Sequence, residues 1–156
     1  MTRATERAYS ELQQAFDFYN QRLFDGELPD CLITFQRGKN TMGYFSYRRF
    51  VAADGSGRMI DEIALNPEYF PVYPLIEVMQ TLVHEQCHMW QYHYGNPSRK
   101  TYHNAQWAAK MESIGLMPSS TGNLVVRKSA RRLMTIRSLV AASSASHWNC
   151  SRGNLL

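Results

Sequence analysis

Apolar residues in this chain recur every three or four positions in some stretches and crowd into short runs in others. From Thr5 to Phe24, the positions Ala8, Leu12, Ala15, Phe16, Tyr19 and Leu23 keep the step of one helix face, and Asp25-Gly26 predicts where that helix stops. The runs Cys31 to Phe35, Met42 to Val51 and Ile60 to Leu65 are rich in β-branched and aromatic residues and are separated by Gly-containing breaks. They predict three or four strands in a small antiparallel sheet. Asn66-Pro67, Pro71 and Pro74 close that region. Leu75 to Tyr94 then runs without Gly or Pro until Gly95-Asn96-Pro97, which predicts a long helix. A third helix is expected from near Tyr102, carrying Ala105, Trp107, Ala108, Ala109, Met111 and Ile114 before Gly115 and Pro118 end it. The resulting class is α+β.

The long helix contains His84-Glu85-Gln86-Cys87-His88. Residues four apart on a helix stand one turn above each other, so both imidazoles can reach one Zn²⁺, and Glu85, rotated by one residue, overhangs the open coordination position. Leu75, Val78, Met79, Leu82 and Met89 form the stripe expected to face the core, while His84 and His88 share another face with Glu77 and Thr81. Cys87 points away from the His pair and is expected to be a buried thiol.

A catalytic zinc normally takes a third protein ligand. Gln91 and Tyr94 stand where a metzincin would have Gly and His, which excludes that pattern. His103 and Glu112 remain. They are nine residues apart, hence on opposite sides of one helix, and cannot both reach the metal. The reversal at Gly95-Asn96-Pro97 returns the start of the third helix toward the middle of the second and favours His103. His93 points away from His88 and is expected at the surface or behind a ligand.

At 156 residues the chain suffices for one ordinary domain. No apolar run approaches the roughly 20 residues that span a bilayer, and the amino terminus lacks a signal-peptide core. Cys31, Cys87 and Cys150 are scattered and odd in number, which suits a reducing compartment and offers no CxxC pair. A cytoplasmic location without membrane contact is expected. The net charge of +4 is unevenly placed: residues 1–112 hold 11 Lys and Arg against 13 Asp and Glu, a net of −2, whereas residues 113–156 hold six basic residues and no acid. All nine Tyr lie at or before Tyr102 and all six Pro at or before Pro118, which sets a boundary near 118–122. The organisation expected is a domain over 1–121 and a basic Ser/Arg-rich tail over 122–156. Three accounts of this tail stand side by side, a loose solvated end, a helix over Val125 to Val140 docked on the domain, and an arm whose five basic residues between Arg127 and Arg137 contact DNA phosphates without sequence preference, and the first two together outweigh the third.

The amino-terminal helix, Leu23-Phe24, Leu28-Pro29, Ile33-Thr34-Phe35, Met42-Gly43-Tyr44-Phe45, Ile63-Ala64-Leu65-Asn66-Pro67, HEQCH and His103 together resemble the SprT-like zinc metalloprotease domain of Spartan-type zincins, over about residues 8–120. The resemblance implies a zincin-like fold, His84, His88 and His103 as zinc ligands, Glu85 as general base, and substrates that are proteins bound or crosslinked to DNA. Members often carry Gly after the third His and Phe further on; Asn104 and Trp107 stand here, which leaves the aromatic role to Trp107. Gly43 to Tyr47 is the candidate edge for an extended substrate, with sheet packing the other account of its aromatics. Arg99 and Tyr102 are weaker candidates for oxyanion contacts. The alternative function is a non-catalytic zincin-like adaptor, DNA-associated or regulatory.

Overall fold

A computed structural model describes residues 3–99 and 103–116. Their order is α1 (Ala4–Leu23), β1 (Cys31–Phe35), β2 (Gly43–Val51), β3 (Met59–Leu65), a 3-10 turn at Pro67–Tyr69, α2 (Leu75–Tyr94) and α3 (Ala105–Ser113). The α+β class follows. The boundary expected near 118–122 and the basic tail lie outside the described residues.

α1 buries Leu12, Phe16 and Tyr19, the residues its apolar step selects. It stops because Asp25 and Gly26 take φ values of 54° and 72°, left-handed backbone that a helix cannot continue. Just before this turn, buried Asn20 donates from Nδ2 to the Leu28 carbonyl at 3.0 Å and accepts the Leu28 N–H on Oδ1 at 3.0 Å. One side chain thereby satisfies both backbone groups of the strand-bound segment.

The sheet order is β1-β3-β2. β2 pairs antiparallel with β3 as the strand pattern predicts, but β1 pairs parallel, so the sheet is mixed rather than antiparallel. The cause lies in the β1–β2 connection, which arches past the end of β3. There Asn66 Nδ2 donates to the Gly38 and Thr41 carbonyls, each at 2.9 Å, which ties the arch to the strand it crosses. β3 slots between its two predecessors and brings Ile33, Ile63 and Leu65 into the core.

β2 is not one unbroken ladder. Ser46 opposes Glu62 and Phe50 opposes Ile60, so Tyr47, Arg48 and Arg49 stand against Asp61 alone. Arg48 takes φ 50°, and its N–H donates to Asp61 Oδ1 at 2.7 Å. The other Asp61 oxygen lies 2.6 Å from His93 Nε2, which ties this bulge to α2.

α2 is the central element. Leu82, Val83, Cys87 and Met89 have no exposed surface, and Gln86 Nε2 donates to the Phe16 carbonyl of α1 at 3.0 Å. Among the described residues, no helix is long and apolar enough to cross a membrane. Asn20→Ala removes both bonds to Leu28 and leaves two buried backbone groups unpaired, which should cost about 2 kcal/mol. Urea denaturation checks this: the midpoint falls while the slope stays unchanged.

Candidate metal centre

One helical turn of α2 carries His84 and His88, whose Nε2 atoms approach to 3.2 Å. His103 Nε2 lies 3.1 Å from His88 Nε2, and the three candidate ligand atoms all fall within 4.8 Å of one another. Nitrogens bound tetrahedrally to zinc at about 2.0–2.1 Å stand about 3.3 Å apart, so this spacing fits one shared ion. The chemistry of the rings agrees. A neutral imidazole Nε2 offers one proton or one lone pair, so His88 can hydrogen-bond only one of its two neighbours, whereas a single cation accepts all three lone pairs.

Burial keeps these rings in the form a metal needs. It pushes His84 well below the usual imidazole range, aided by the neighbouring His88 and His103. His88 is lowered to about 4, again mainly by burial and then by His103, and burial also lowers His103. Neutral imidazoles are metal ligands; imidazolium is not. Trp107 forms a shared wall. Its ring stacks on His103 at 3.7 Å and 10° and on His88 at 4.9 Å and 25°, and meets His84 edgewise at 4.7 Å. Glu85, next to His84 on the same turn, is 6% exposed, and burial pushes its carboxyl up to about 8. A divalent ion beside it favours the carboxylate and reverses that tendency.

A family model described as the SprT-like family matches residues 12–128. The chain belongs to the SprT-like family. The "uncharacterized protein in mucB 3′ region" of Salmonella typhimurium is 56% identical over 59 residues, which is 38% of this chain and 78% of that protein. SprT-like membership makes this a zincin-like, metalloprotease-type domain, and its three imidazoles form a group that can hold a metal.

Glu112 is exposed on α3 and does not join the His84, His88 and His103 group. His103 precedes α3 rather than starting it, because Asn104 accepts the Trp107 N–H at 3.0 Å and so caps the helix one residue later. Cys87 is fully buried and burial raises its thiol. Arg99 is exposed, and Tyr102 lies outside the described residues. β2 packs along α2: a Cβ at Gly43 would meet Thr81 Cγ2 at 3.0 Å, and Phe45 and Tyr47 pack on Tyr92. Patterning along the chain does not single out the Asp61–His93 tie, nor the carboxamides of Gln91, Asn104 and Gln106, which bond to each other between α2 and α3. The one available signal is Asn104, a capping residue just before an apolar helical run.

The opposed titrations give the metal-free chain a stability maximum. Glu85, raised to about 8, stabilises the fold fully below its unfolded value of 4.5, and this is lost as pH rises through 8. His84 and His88 lie below their unfolded value of 6.5, so stability is lost as pH falls below it. Melting of the metal-free SprT-like chain should therefore peak near about pH 6.5 and occur at lower temperature at about pH 5 and about pH 8.5. In Glu85→Gln the decline on the alkaline side should disappear. A profile unchanged by that substitution contradicts the placement of Glu85.

Proposed function

We propose that the chain is a zinc-dependent endopeptidase acting on DNA-associated or DNA-crosslinked proteins, with His84, His88 and His103 as ligands and Glu85 as general base. The convergence of three imidazoles, with a buried glutamate next to His84 on the same turn of α2, carries this reading. Zinc, when bound, supplies Lewis acidity toward a peptide carbonyl and lowers the pKa of water toward about 7. Glu85 takes the proton of the attacking water and delivers it to the leaving amine. Among the described residues β2 is an edge strand in the order β1-β3-β2, so its open side can pair with an extended substrate at Gly43 to Ser46, short of the Arg48 bulge. Backbone pairing of this kind gives affinity with little side-chain preference.

Two observations support the nucleic-acid part of the proposal: six basic residues and no acid over 113–156, and the exposed Arg48, Arg49 and Arg58 near the β2–β3 hairpin. Glu85→Gln preserves size and leaves the imidazoles untouched. It should retain zinc while cleavage of an unstructured protein such as casein falls about 10²-fold or more. Cleavage at the parental rate contradicts the general-base role. Deleting residues 123–156 should remove most binding to single-stranded DNA and flatten its salt dependence, measured by fluorescence anisotropy between low and physiological salt. Undiminished binding moves the contact to the Arg residues of the body.

A further inference from the structure

The three imidazoles are not held alike. His84 and His88 are fixed by the backbone of α2, whereas His103 stands ahead of the α3 cap, outside any helix. Its neighbour Asn104 is gripped on both sides of its carboxamide. Oδ1 accepts the Trp107 N–H at 3.0 Å, and Nδ2 donates to the Asn96 carbonyl at 2.9 Å. Gln106 is oriented too, because its Oε1 accepts the Asn96 N–H at 2.7 Å. Backbone groups have fixed polarity, so both carboxamide oxygens are assigned by their partners.

Both oxygens then need a second donor, and Gln91 supplies it. Its Nε2 donates to Asn104 Oδ1 at 2.6 Å and to Gln106 Oε1 at 3.2 Å. Gln91 is 2% exposed and stands three residues beyond His88 on α2. Gly95 allows the close approach: a Cβ there would lie 2.5 Å from Gln106 Oε1. The end of α2 and the start of α3 are thus joined by one buried NH₂ group that bonds the residue next to His103.

We propose that Gln91 is a positioning residue for the metal centre, locking Asn104 and with it His103 onto the ion that His84 and His88 hold. The inference rests on the zinc reading above. Groups that orient metal ligands are worth about 10- to 100-fold in affinity, although they never touch the ion.

The experiment uses the full chain, with zinc affinity measured by chelator competition and the ligand set read from the visible absorption of the Co²⁺ form. Gln91→Glu keeps the shape but presents an acceptor where a donor is required. Asn104→Ser keeps the cap on Trp107 but does not reach Gln91 or Asn96. Both variants should bind zinc about 10- to 100-fold more weakly and shift the Co²⁺ bands away from the wild-type pattern. A role confined to helix packing lowers the melting temperature of the metal-free variants and leaves affinity and Co²⁺ bands at wild-type values; that result overturns the proposal. If Gln91→Glu does not fold, Asn104→Ser decides by the same criterion. A wild-type chain that binds no zinc refutes the zinc reading itself, a failure seen before any variant is compared.

Discussion

Bringing three imidazole nitrogens to within 4.8 Å of one another is the constraint around which this domain is built. A helix provides two of them without further cost, because residues four apart share a face. The third cannot come from the same short stretch and has to be delivered by another segment. The reversal after α2, the cap at Asn104 and the stacking of Trp107 against His103 all serve that delivery. Burial makes the cluster tolerable, since it keeps the rings neutral and removes the mutual repulsion that protonation would bring.

The same helix also has to hold the domain together. α2 meets both other helices and the sheet, and it places Leu82, Val83, Cys87 and Met89 in the interior. It therefore carries polar groups into places where polar groups are costly. Gln86 is bonded to the Phe16 carbonyl, Gln91 to the carboxamides of Asn104 and Gln106, and burial raises the Glu85 carboxyl to about 8. The sheet contributes position. β2 lies along α2 through Gly43, Phe45 and Tyr47, and the Asp61–His93 tie fixes the bulge at which its regular pairing breaks off.

What was legible in the sequence follows from the range of each interaction. His84, Glu85 and His88 obey helical spacing, a local rule, so motif and element can be seen together. The ends of α1 and α2 are legible for the same reason, through Asp25-Gly26 and Gly95. His103 needed a choice against Glu112, and the choice turned on the direction in which the chain reverses; its position one residue outside α3 depends on which side chain wins the cap. The parallel pairing of β1 was not legible, because strand order is set by contacts such as Asn66 with Gly38 and Thr41, which no periodicity encodes. The Gln91 bridge was hidden for a related reason: whether an amide is a connector or a surface group depends on the partners it meets.

X-ray absorption at the zinc edge of the purified, metal-replete chain tests the central claim most directly. Three imidazole nitrogens at about 2.0–2.1 Å, with no sulfur in the shell and one zinc per chain, is the expected result. A spectrum with two or fewer imidazoles, or with sulfur among the ligands, would contradict the convergence of His84, His88 and His103 on one ion.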